Sequence, residues 1–254
     1  MGSPGEPGLV MAHGATGGAD YINHKYNLRG GVLNVSGISN TSGVVPTGPT
    51  AAVGGNGNGF APIFNFDGGT LRASQSDSDD PGVVNEGWNY LMSNLWHAYV
   101  EDGGAIIDTQ DFTNSINQAL EHDPTLGATP DGGLTKLGSG RLILLQPSTY
   151  TGDTTVTDGV LEVMQLYLDD ASSVAIADGS MMDLNFQGID VIEQLILSGV
   201  AQGPGIYDAV TDPDFFAGTG ALQVAQIVPE PSTFLLAVLG LVGMLVLDRR
   251  RHRS

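Results

Sequence analysis

Two groups of acidic side chains are spaced closely enough to do chemistry. Asp77, Asp79 and Asp80 fall in the run "SDSDD", and Asp169 and Asp170 are adjacent. Clustered carboxylates can share general acid and general base work on a glycosidic bond. Enzymes that act on acidic polysaccharides also need Arg or Lys as base and charge clamp. Here only Lys25, Arg29, Arg72, Lys136 and Arg141 precede Pro229, too few for a polyanion-binding groove. The plainer reading puts Asp77, Asp79 and Asp80 in a solvated loop and Asp169 and Asp170 at a chain corner. No catalytic residue is assigned.

Other chemistry is equally sparse. The histidines His13, His24, His97, His122 and His252 are scattered without metal-ligand spacing. There is no cysteine, hence no disulfide or thiolate site. Neither a Gly-x-Ser-x-Gly elbow nor a phosphate loop occurs. "GGNGNG", Gly54 to Gly59, resembles one calcium-binding solenoid repeat but lacks its aspartate and stands alone. No metal and no cofactor are expected. Before Pro229 five basic residues face 26 acids, a net charge of −21. Such a body repels nucleic acid and anionic lipid, and nucleic acid is excluded as a partner. Its acidity keeps copies apart at low salt, and divalent cations could bridge them to matrix polysaccharide.

The elements that would carry any site are short strands. Tyr26-Asn27-Leu28-Arg29-Gly30-Gly31-Val32-Leu33 reads against Phe64-Asn65-Phe66-Asp67-Gly68-Gly69-Thr70-Leu71. Later, a glycine followed by a short alternating run begins at Gly140, Gly159, Gly179, Gly199 and Gly220, in steps of 19 to 21 residues. Within "GVLEV" and "DLNF" apolar and polar side chains alternate, the pattern of a strand with one buried face. Gly, Asp, Asn and Pro mark the corners. Ser115 to His122 reads as two helical turns or as a strand and a turn. Ser76 to Trp96 departs from the repeat and reads as a loop or a distorted coil. The whole predicts an all-β chain, a β-solenoid of about 20 residues per coil. About ten coils stacked 4.8 Å apart make a rod on the order of 50 Å long. A sandwich or propeller also spaces strands regularly, but the near-constant step favours the solenoid.

The chain closes differently. Phe234 to Leu247 is uncharged throughout, and Arg249, Arg250, Arg251 and Arg253 follow it. As a helix the run spans about 21 Å, short for a permanent crossing of a bilayer core of about 30 Å. An all-round apolar helix followed by arginines is the pattern of a cytoplasmic stop. Val228-Pro229-Glu230-Pro231-Ser232-Thr233 stands directly before it. The prolines keep that segment out of regular structure and open to a protease.

These three parts, in this order, closely resemble the bacterial PEP-CTERM sorting signal. The resemblance implies an exosortase-type processing protease as partner. It also implies transient anchoring in the inner membrane through Phe234 to Leu247, then delivery to the cell surface or extracellular matrix. Gly132 to Val163, "GGLTKLGSGRLILLQPSTYTGDTTVTDGVLEV", resembles an autotransporter-associated β-strand repeat. That implies a right-handed parallel β-helix on an exported protein, and no activity. The opening residues have no basic n-region and no apolar stretch beyond Leu9 to Ala12. Export then requires that the chain lack its true beginning or that the gene start be misplaced.

The expected organisation is a flexible leader (1–20), a β-solenoid (21–227), a Pro-Glu-Pro linker and processing region (228–233), a transmembrane helix (234–247) and a basic cytoplasmic tail (248–254). The expected function is that of a structural or adhesive surface component, with extracellular polysaccharide as a candidate partner. The alternative is a β-helix lyase or hydrolase on polysaccharide.

Overall fold

The computed structural model describes residues 9–10, 25–39, 62–77 and 90–225. Described residues form strands and one short 3-10 turn, Pro124–Leu126, with no α-helix among them. None of their elements is a helix long and apolar enough to cross a membrane. The C-terminal hydrophobic helix expected at 234–247 lies outside the described residues, as do the leader, the Pro-Glu-Pro linker and the basic tail.

The strands wind as a parallel β-solenoid. One face carries Val32–Val35, Thr70–Ala73, Ala105–Asp108, Leu134–Leu137, Thr154–Val156, Ser173–Ile176 and Gln194–Leu197, each hydrogen-bonded in parallel to the next. A second face carries Leu9–Val10, Ile38–Ser39, Met92–Ser93, Thr113–Asn117, Arg141–Leu144, Val160–Val163, Met181–Leu184 and Phe216–Gly218. A third face is shorter, with Lys25–Leu28, Ile63–Phe66, His97–Val100 and Glu121–His122. The register of the first repeat is the one its residues spell out. Tyr26 pairs with Phe64, Asn27 with Asn65, Leu28 with Phe66, and Leu33 with Leu71. Tyr26 and Phe64 stack at 5.2 Å and 12°.

Period-two alternation sends every second side chain inward, and parallel register stacks those side chains in columns. Leu71, Ile107, Lys136, Val156, Ile176 and Leu197 make one column and are buried. Asn114, Leu142, Leu161, Met182 and Phe216 make another. Glycine is required where successive corners touch. Gly133 has φ +68°, and a Cβ there would lie 2.0 Å from the Asp153 carbonyl oxygen. At Gly140 it would lie 2.0 Å from the Phe112 oxygen.

The coil length differs from the expectation of a uniform 20 residues. Val32 pairs with Thr70 and Thr70 with Ile106, so the early coils need 36 to 38 residues and include a strand on the third face. From Leu134 onward the pairs Leu134 with Thr154, Thr154 with Val174 and Val174 with Leu195 give a step of 20 or 21. Among the described residues the longest parallel stack has eight strands, and at 4.8 Å per step it is about 34 Å long, shorter than expected. The last two glycine copies leave the register altogether. Val200–Ala201, after Gly199, turns back antiparallel on Ile196–Leu197. Ala221–Val224, after Gly220, lies between Ile189–Ile192 and the antiparallel strand Gly205–Asp208. Antiparallel strands at this end occupy backbone groups that an open edge would offer to another chain. Ser115 to His122 is strand, turn and strand, not helix.

Candidate functional site

The residues expected to carry sorting, Val228 to Thr233 with Arg249, Arg250, Arg251 and Arg253, lie outside the described residues. Of the first acidic group, Asp77 is described, and Asp79 and Asp80 are not. Asp77 is a structural clasp. Its carboxylate accepts from Asn114 Nδ2 at 3.1 Å and from the Ser115 backbone N–H, filling the place where a second-face strand would sit.

Asp169 and Asp170 form a corner, as the sequence suggests. Asp169 Oδ1 accepts from the Ala171 N–H at 2.9 Å, and its carbonyl accepts from Ser172. The same corner, however, borders a cleft of about 490 Å³ between Ser148–Tyr150, Leu166–Asp170 and Asp190. Asp190 was not singled out from sequence. It is 7% exposed, and its Oδ2 accepts from the Tyr167 and Leu168 N–H groups, both at 3.1 Å. Burial pushes its carboxyl upward, and the nearby Asp170 charge adds to that; the backbone N–H groups act in the opposite direction. Tyr150 and Tyr167 cross edge-on at 5.9 Å in the wall. The Tyr150 hydroxyl pairs with Thr154 Oγ1 at 2.8 Å, and the Tyr167 hydroxyl is buried against Tyr150.

Four of the five basic side chains before Pro229 are engaged by other groups of the fold. Arg29 reaches Asp67 at 3.3 Å, Arg72 reaches Asp108 at 2.8 Å, and Arg141 bridges Glu162 and Asp183 at 2.6 and 2.8 Å. Glu162 and Asp183 are register partners on adjacent coils, so Arg141 relieves a repulsion that stacking itself creates. Lys136 is fully buried in an otherwise apolar column. Its Nζ donates toward Thr109 Oγ1 and the carbonyls of Leu137, Gly138, Gly140 and Asp158. Burial lowers this ammonium to about 8, against the opposing pull of Asp158 and Asp108. Alternation in "LTKL" already points Lys136 inward; only the corner carbonyls explain why it is tolerated.

Two histidines are described, and each is paired rather than poised for metal. His97 Nδ1 lies 2.8 Å from Glu121 and its ring stacks on Tyr99 at 4.7 Å. His122 Nδ1 meets the buried Asp131 at 2.9 Å, and Nε2 meets the Gly127 carbonyl at 3.1 Å. Two acceptors around one ring favour the doubly protonated imidazolium, and the Asp131 hydrogen bond raises its pKa. A raised histidine contributes stability that is fully present below its unfolded value, near 6.5, and lost as pH rises through the folded value. The thermal midpoint is therefore expected to fall between pH 6 and pH 8 more in the parent than in His122→Gln. Parallel pH dependences in the two proteins would refute this assignment. Among the described residues no group of three or more His, Cys, Asp or Glu is arranged to hold a metal ion.

Residues 134–163, which span the Lys136 corner and the first 20-residue coil, match the passenger-associated-transport-repeat family. Residues 228–251 match the PEP-CTERM protein-sorting motif. No curated protein and no solved structure matches the chain. The two matches together imply an exported protein, and the sorting motif implies membrane-anchored sorting with processing by an exosortase.

Proposed function

We propose that the chain is a structural or adhesive component of the bacterial cell surface or extracellular matrix. In this reading a stiff acidic coil stack is held in the inner membrane by Phe234 to Leu247, with Arg249, Arg250, Arg251 and Arg253 on the cytoplasmic side. An exosortase cuts near Val228 to Thr233, and the body, spanning roughly 21–227, is released. The sorting motif at 228–251 is the observation that carries the proposal. Eight stacked parallel strands support the stiffness, since each coil is hydrogen-bonded to its neighbours. In this reading the winding is right-handed, the hand that parallel crossovers overwhelmingly adopt. Its action is presentation of a surface, not turnover.

The intact mass of the chain recovered from its own cells, with the fraction recorded, tests this directly. Loss of about the last 25 residues and recovery outside the cytoplasm is expected, since a removable tail alone makes so short an apolar run sufficient. A full-length product in the inner membrane would make the tail a plain anchor. A full-length cytoplasmic product would refute export.

A second reading, a β-helix enzyme on polysaccharide, is favoured by the gathering of Asp169, Asp170 and Asp190 around one cleft. Against it stands the engagement of Arg29, Arg72, Lys136 and Arg141 elsewhere, which leaves no basic clamp at the cleft. Saccharide cleavage abolished by Asp190→Asn would favour the enzyme.

A further inference from the structure

The third face of the solenoid is interrupted. Its ladder stops at Glu121–His122, and strand structure on that side resumes only at Ile189–Ile192. Between them run Ser148–Tyr150 and Leu166–Leu168, which are not strands. Their backbone groups are held by other means. The Thr149 N–H donates to the Leu120 carbonyl at 2.8 Å, and the Tyr167 and Leu168 N–H groups donate to the Asp190 side chain. Where coils on the other faces close on one another, these segments stand apart, and the 490 Å³ cleft fills the gap. That volume lies in the usual range of small-ligand sites.

The lining is specific. Asp169, Asp170 and Asp190 bring three carboxylates to one cleft, and no Lys, Arg or His lines it. The chain supplies nothing to neutralise them. Asp190 is nearly buried with only backbone N–H dipoles around it, so its charge lacks a counter-ion. The Tyr167 hydroxyl is buried in the wall against Tyr150, out of reach of the cleft. Leu166, 46% exposed, offers an apolar lip, and Thr149 an exposed hydroxyl.

We infer that this cleft binds an amino sugar, a hexosamine unit with an unacetylated ammonium group, within an extracellular polysaccharide. Anionic sugars are repelled by the three carboxylates. A neutral sugar offers hydroxyls but leaves the Asp190 charge without a counter-ion. A ring that carries an ammonium meets each feature: charge for the carboxylates, a hydroxyl for Thr149, and an apolar ring face for Leu166. The polysaccharide context rests on the surface reading above; the ammonium chemistry rests on the cleft alone.

The test is titration of the purified full-length chain with glucosamine tetramer, N-acetylglucosamine tetramer and galacturonate tetramer. Glucosamine tetramer is expected to bind, and the other two to bind at least roughly tenfold more weakly, the scale of one lost charge pair. Asp190→Asn should weaken binding roughly tenfold or more, by the same loss. Asp170→Asn, at the exposed lip, should weaken it several-fold. Asp111→Asn and Asp178→Asn, exposed acids at corners away from the cleft, should leave it unchanged. Equal binding of the acetylated tetramer would overturn the inference. So would no binding at all, or equal weakening by the distant variants, which would mean diffuse attraction to an acidic body. Binding in solution does not depend on where the cell sends the chain. A sorted protein that binds no amino sugar sinks only this inference, and an unsorted one that binds sinks only the surface reading.

Discussion

Lys136→Met is expected to destabilise the coil stack by about 3 kcal/mol. The Gly138 and Asp158 carbonyls accept from Lys136 Nζ and from no other donor among the described residues. Each buried acceptor left without a partner costs about 1–3 kcal/mol. The Gly140 carbonyl also accepts from the Val160 N–H, and the Leu137 carbonyl from the Thr109 N–H, so those two keep a bond. Met matches the apolar column of Ile107 and Val156, which separates the lost polar contacts from lost packing. For a body of this size the thermal midpoint should fall by about 6–12 °C. Lys25→Met, on the exposed Lys25 side chain, is the control and should change stability by less than about 0.5 kcal/mol. An unchanged midpoint in Lys136→Met would show that the corner carbonyls do not depend on the ammonium.

Replacing Pro229, Glu230 and Pro231 by alanine is expected to trap the full-length chain in the inner membrane. Alanine removes the φ restriction of both prolines, so a helix formed by the apolar run, as proposed above, would extend backward through the site and withdraw it from the protease. Replacing Arg249, Arg250, Arg251 and Arg253 by glutamine should have a different result. Each arginine near an anionic leaflet contributes about 1 kcal/mol, so the four together shift membrane retention by roughly a thousandfold. That variant should escape the membrane uncut. Immunoblots of membrane and released fractions, with intact mass, read both outcomes. Normal cutting and release of the alanine variant would remove the Pro-Glu-Pro segment from the mechanism, and normal retention of the glutamine variant would do the same for the arginines.

Local properties were legible because they are local. Alternation in "GVLEV" turns Leu161 and Val163 inward whatever the coil length. Paired glycines at 68 and 69 or at 132 and 133 mark corners because one of each pair adopts positive φ. The match between Tyr26–Leu33 and Phe64–Leu71 became the pairing register because identical patterns stack with identical faces inward. The Pro-Glu-Pro, apolar and arginine segments likewise announce themselves by composition and order alone.

What only the tertiary structure decided depends on residues brought together by coil length. The sequence shows a near-regular glycine step at Gly199 and Gly220, yet those strands fold back or cap, because a strand's partner is set by the chain between them. Arg72 finds Asp108, and Arg141 finds both Glu162 and Asp183, only because intervening coils of 36, 21 and 42 residues return the chain to the same place. The cleft is of the same kind. Ser148, Tyr167 and Asp190 sit in three successive turns of the chain, none remarkable by itself. Their meeting follows from the loss of the third-face strand after His122. Side-chain periodicity is a property of neighbours in sequence; which charges oppose one another, and where a ladder opens, is a property of the winding.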